Sequence, residues 1–151
     1  MMDLYTDVLK LASMCAVALM VLAFGGLVLT HSLVTSSIPV ILVQCAALAL
    51  MVWARVTFGT RSFHAAADPT EGGLVTNGPY RFIRHPIYTA ACLLGVAGAL
   101  ANGSALALVL GTLLVAGAIG RMLCEETLIA RVYPEYRAYA HATKRMIPFV
   151  F

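Results

Sequence analysis

Two long runs without a formal charge constrain this chain more than any other feature. Leu11 to Ala54 is 44 consecutive residues with no Asp, Glu, Lys or Arg, and Pro86 to Gly120 is another 35. A helix rises about 1.5 Å per residue, so the first run would reach roughly 66 Å, about twice a ~30 Å hydrocarbon core. One helix cannot fill it and two can, with a turn at His31-Ser32 and Thr35-Ser36-Ser37-Pro39. The second run has its turn at Asn102-Gly103-Ser104. The expected fold is therefore all-α and integral to a membrane, with four transmembrane helices arranged as two hairpins. Confined to the charge-free window, the third and fourth segments are about 17 residues, the lower limit for a span. The fourth is expected to continue past Arg121.

Composition agrees. Of the 151 residues 61% are hydrophobic and 11% charged, against about 25% charged in a soluble domain. A disordered tail, a coiled coil and a water-soluble globule are excluded. The length suits one domain, divided into an N-terminal hairpin (1–54) and a second region (55–151) that holds most of the polar residues. A secretory leader fits the first segment poorly, because Asp3 and Asp7 stand at its start.

Orientation follows from the basic residues. Lys10, Arg55, Arg61, Arg81, Arg84, Arg121, Arg131, Arg137, Lys144 and Arg145 are all ten Lys and Arg residues of the chain. Four helices put all of them on one side, whereas an odd number would split them. The positive-inside rule then places that face and both termini in the cytoplasm, at the inner membrane if the cell is bacterial. Lipids, not nucleic acid, are the expected surroundings.

Cys15, Cys45, Cys92 and Cys124 follow no metal-binding spacing, so they read as small apolar filler and no metal is expected. Gly95 with Ala99, Ala107 with Gly111, and Ala116 with Gly120 are small pairs four apart that let helices approach closely. His31, His64 and His141 are given no role, and Trp53 and Phe58 read as interfacial anchors.

The chemistry is concentrated between the hairpins. Residues 55–85 hold Arg55, Arg61, His64, Asp68, Glu71, Asn77, Tyr80, Arg81, Arg84 and His85, with turn formers Gly72-Gly73 and Asn77-Gly78-Pro79. Pro86 suits the first position of the third helix. That places Arg84 and His85 at a helix N-terminus, where free N–H groups attract an anion. Arg121 and Glu125 are four apart on one helix face, and Glu126 lies about 100° around from Glu125.

Gly78-Pro79-Tyr80-Arg81-Phe82-Ile83-Arg84-His85-Pro86-Ile87-Tyr88 resembles the G-P-Y-R-x-x-R-H-P-x-Y signature of the isoprenylcysteine carboxyl methyltransferase family, itself related to membrane phospholipid methyltransferases. Leu74-Val75-Thr76-Asn77 is similar to that family's lead-in, and Arg61-Ser62-Phe63 to an upstream element. Glu125-Glu126, Tyr133-Pro134-Glu135-Tyr136 and Arg145-Met146-Ile147-Pro148 resemble its tail. The resemblance covers roughly residues 55–151 and rests on several motifs in order.

It implies methyl transfer from S-adenosylmethionine to a lipophilic acceptor that arrives from the bilayer, most simply a carboxylate of the isoprenylcysteine type. The implied cofactor pocket is Gly73, Leu74, Val75, Gly78, Tyr80, His85, Pro86 and Tyr88, closed by Glu125 and Glu126. Arg84, His85 and Glu126 are the implied catalytic residues, and Arg84 or Arg121 would hold an anionic substrate group. The residue types agree. A sulfonium and an ammonium call for carboxylates and aromatic faces, and a carboxylate tail calls for donors such as His85, Arg84 and the loop N–H groups. One of the two glutamates can face the cofactor while the other pairs with Arg121; place in the motif favours Glu126. The C-terminal stretch from Tyr133 to Phe151 is expected to fold back as a lid. Two other classes stand beside this reading. One is a nicotinamide-dependent reductase of the sterol-reductase type. The other is a four-helix transporter, which would need an ionisable residue within a span.

Overall fold

The computed structural model describes residues 2–59 and 73–151. The Arg61-Ser62-Phe63 element, His64, Asp68, Glu71 and Gly72 lie outside the described residues. Within them the order is α1 (Met2–Leu29), α2 (Ile38–Phe58), a 3-10 turn (Gly78–Arg81), α3 (Pro86–Asn102), α4 (Ala105–Val132) and α5 (Tyr136–Ala142).

Helix ends fall at the polar breaks. α1 stops at Leu29 and the chain turns through His31, whose φ is 54°. α2 then starts with Pro39 in its first turn, where the missing N–H costs nothing. Between α3 and α4, Gly103 takes the left-handed conformation that favours glycine, φ 70°, and its N–H bonds Ala99 O. Ser104 caps α4 by accepting from the Ala107 N–H at 3.2 Å. α4 runs past Arg121 to Val132, as its short charge-free window requires.

Three helices, α1, α2 and α4, are long and apolar enough to cross a membrane. α3 is apolar but has 17 residues, roughly 26 Å of helix.

The packing differs from two self-contained hairpins. α1 lies along α4 and α2 along α3, with α3 against α4 joining the pairs, while α1 and α2 make next to no contact with each other. Small residues account for these partners. A Cβ on Gly117 would sit 2.7 Å from Met20 Cγ and 2.9 Å from Ala16 O, so α1 and α4 approach at backbone distance. Gly120 meets Ala16 on the same face. Between α3 and α4, Gly111 faces Ala99 and Gly95 faces Leu114. The third small pair is used differently from its spacing: Ala116 is exposed and Gly117 takes its place beside Gly120. The core that results comprises Ala23 and Leu27 of α1, Cys92 and Ala99 of α3, Ala107, Leu114, Ala118 and Met122 of α4, and Met146 from the C-terminal tail.

That tail crosses back over the start of α3. Arg84 N–H donates to Lys144 O at 2.7 Å and His85 N–H to Arg145 O at 2.9 Å, with an isolated parallel bridge between Ile83 and Lys144. Thr89 Oγ1 ties the same two segments, donating to Met146 O and His85 O, each at 3.0 Å.

Candidate active site

Four pieces of chain converge where α3 begins and the last turns of α4 run. Pro86 opens α3, so Arg84 and His85 stand at its N-terminus and Tyr88 one turn in. On α4, Arg121 and Glu125 share one face through their i, i+4 spacing, and Glu126 is displaced toward the tail. Arg145 comes from the tail and Ser13 from α1.

The two glutamates divide the basic groups between them. Glu125 Oε1 accepts from Arg121 Nε at 2.8 Å and from Tyr88 Oη at 2.7 Å. Arg121 Nε also reaches Tyr88 Oη at 3.2 Å, and its Nη1 donates to Ser13 Oγ. Glu126 Oε1 accepts from Arg84 Nε at 2.9 Å and lies 3.2 Å from His85 Nε2, while its Oε2 accepts from Arg145 Nε at 3.0 Å. His85 bridges the halves, since its Nδ1 is 3.8 Å from Glu125 Oε2 and its ring stacks on Tyr88 at 5.7 Å between centroids.

Burial raises the stakes of each contact. Arg121 is 5% exposed and His85 8%. Groups this sheltered tolerate charge only when it is paired and hydrogen-bonded. Counting the arginines and glutamates alone, three positive groups face two negative ones, a local excess of one positive charge.

α5 supplies a second layer. Arg84 Nη1 donates to Ala140 O at 2.8 Å and Thr143 O at 2.6 Å, at the end of that helix. Tyr139 Oη donates to Tyr80 O at 2.7 Å, and burial pushes the Tyr139 hydroxyl up to about 12, so it remains a donor at neutral pH. Burial, then the charge of Glu126, also raises the Tyr136 hydroxyl. That hydroxyl is close enough to feel the carboxylate, yet it is buried without completing a hydrogen bond among the described residues.

Of the residues singled out by sequence, Arg84, His85, Tyr88, Arg121, Glu125 and Glu126 form one cluster, and Pro86 lies buried beside it. Tyr80 and Gly78 pack against the end of α2, while the Tyr80 hydroxyl, raised by burial, still feels the charge of Glu125. The Tyr80 ring packs on Phe58 at 5.5 Å, and a Cβ on Gly78 would meet Thr57 Oγ1 at 2.5 Å. Phe58 is thus a packing partner of the turn, while Trp53 is exposed. Gly73, Leu74 and Val75 are half-buried coil leading into the 3-10 turn. Arg84 and Arg121, read as hands for an anionic substrate, spend the donors described above on internal carboxylates, carbonyls and hydroxyls.

Two members were not assigned a site role from the sequence. Arg145 had been visible only as part of the tail motif. Ser13 had a signal, a lone hydroxyl in an apolar run, but nothing in the sequence said which helix it faces.

An apolar groove of about 450 Å³ lies between α3 and α4, lined by Val96, Ala99, Gly111, Val115 and Ile119 among others. The family model described as phospholipid methyltransferase matches residues 56–136. Comparison with curated proteins and with solved structures gives no match.

Proposed function

The chain belongs to the phospholipid methyltransferase family and is a membrane methyltransferase, and from that premise we propose that it transfers the methyl group of S-adenosylmethionine to a lipophilic acceptor. The acceptor proposed is a carboxylate of the isoprenylcysteine type or a related lipid. The observation that carries this reading is the hydrogen-bonded cluster of two carboxylates, three guanidiniums, His85 and Tyr88 at the start of α3, with His85 and Arg121 buried at its centre.

The donor set fits the cofactor. Glu125 and Glu126 suit a sulfonium and an ammonium, and the stacked His85 and Tyr88 rings offer aromatic faces to a cation. The excess positive charge suits a carboxylate, on cofactor or acceptor. When bound, S-adenosylmethionine supplies an electrophilic methyl on a positively charged sulfur. The protein's part is alignment and exclusion of water. Arg84, clamped to the end of α5, orients Glu126; Arg121 and Tyr88 orient Glu125; the tail segment 144–146, bonded to His85 and Thr89, would act as a lid. A carboxylate or thiolate acceptor needs no proton removed, so the site needs no general base.

The groove between α3 and α4 supports a hydrocarbon-bearing acceptor, being apolar and flanked by the two helices that carry the cluster. With α3 as a short fourth span, the basic residues among the described ones lie on one face, and we propose that this face is cytoplasmic.

Purified protein is expected to bind S-adenosylhomocysteine in the micromolar range, about −8 kcal/mol. Calorimetry without heat, together with no thermal shift, rejects the reading. Glu126→Ala and His85→Ala are each expected to weaken binding at least about tenfold, since each leaves buried partners unsatisfied. Unchanged affinity in both removes the site assignment. Labelled cofactor incubated with membrane extract identifies the acceptor.

A further inference from the structure

We infer that Ser13, on the first helix and outside the matched family region, is a positioning residue of the active site that sets Arg121 against Glu125 and Tyr88. The inference rests on the methyltransferase reading above and adds a residue to it.

Ser13 is 0% exposed, in a helix whose composition is otherwise apolar from Leu11 onward. A buried hydroxyl must find a partner, and this one accepts from Arg121 Nη1. The same guanidinium donates through Nε to Glu125 and Tyr88. Helices α1, α3 and α4 are therefore cross-linked at one side chain. A serine side chain is short, so reaching a guanidinium on another helix demands that the backbones approach closely. Gly117 and Gly120, against Ala16 and Met20, supply that approach about one turn from Ser13 and Arg121. A second α1–α4 contact holds the register further along, where the Arg131 guanidinium lies 4.4 Å from the Tyr5 ring centroid. With Nη1 held by α1, the plane of the Arg121 guanidinium is fixed, and Glu125 and Tyr88 are held in the places where they would meet a cationic ligand.

The test compares wild type, S13A and S13C in detergent by calorimetry with S-adenosylhomocysteine, alongside hydrogen exchange of the ligand-free proteins. S13A is expected to raise the Kd about tenfold at unchanged stoichiometry and to speed exchange in α4 around residues 119–126. S13C is slightly larger and leaves a weak hydrogen-bonding group, so its Kd is expected between the two. A merely structural role would lower the number of competent sites without moving the Kd, and that result overturns the inference. So does S13A with wild-type Kd and wild-type exchange. If S13A does not fold, S13C decides by the same two readouts. Wild-type protein that binds no S-adenosylhomocysteine rejects the cofactor reading itself, whereas wild type that binds with S13A as its equal rejects only the role of Ser13.

Discussion

α1 and α2 are similar in composition and differ in how they are attached. Both are apolar, both are long enough to cross a membrane, and they follow one another in the chain. α1 buries Ser13, Ala23 and Leu27, lies at backbone distance from α4 and touches the polar cluster. α2 buries only Ala47 and Ala54. Its mid-helix polar residue, Gln44, bonds Leu33 O at 3.0 Å in the preceding turn, and its far end meets the 3-10 turn through Thr57 and Phe58. Lipid is as apolar as leucine, so hydrophobicity alone does not bring two helices together in a bilayer. Small residues and a paired hydroxyl do, and they link α1 to α4 and not to α2.

The contrast is broken most forcefully at matched leucines. Leu27→Ala removes a fully buried side chain of α1, and the void is expected to cost about 2 kcal/mol, read as a lower thermal midpoint and weaker cofactor binding. Gly78→Ala tests the close contact between the end of α2 and the 3-10 turn. The residue has φ 56° and Thr57 stands where a Cβ would go, so a loss of about 1–2 kcal/mol is expected, measured by thermal melting. Thr57→Ala in the same background should recover the steric part and leave the conformational part. The smallest effect is expected from Leu48→Ala, the same chemical change as Leu27→Ala on an α2 side chain that is 51% exposed. Its midpoint should stay within about 0.5 kcal/mol of wild type; a loss equal to that of Leu27→Ala would show that α2 has a partner on that face.

Much of the site was legible because its members stand close together in sequence. Arg84, His85 and Tyr88 are placed by Pro86 starting a helix, and Arg121 pairs with Glu125 because residues four apart share a face. The division of labour was not legible. In the structure Glu125 pairs with Arg121 and Tyr88, and Glu126 with Arg84, His85 and Arg145. That outcome depends on where the tail crosses, and Arg145 is 19 residues from Glu126 in the chain. The hairpins were legible as turns and illegible as packing, because chain adjacency does not reveal which faces fit.

The sequence by itself determined the long apolar helices, the turn within each hairpin and the membrane setting, since an uncharged run cannot satisfy its backbone in hydrocarbon except as helix and glycine, serine and proline mark those turns. Only the tertiary structure decided that α1 lies on α4, that a serine from the first helix reaches Arg121, and that the tail returns to Glu126. Those are contacts between residues far apart in the chain. They depend on which small-residue faces allow two backbones to approach and on buried charge finding its partners once they have.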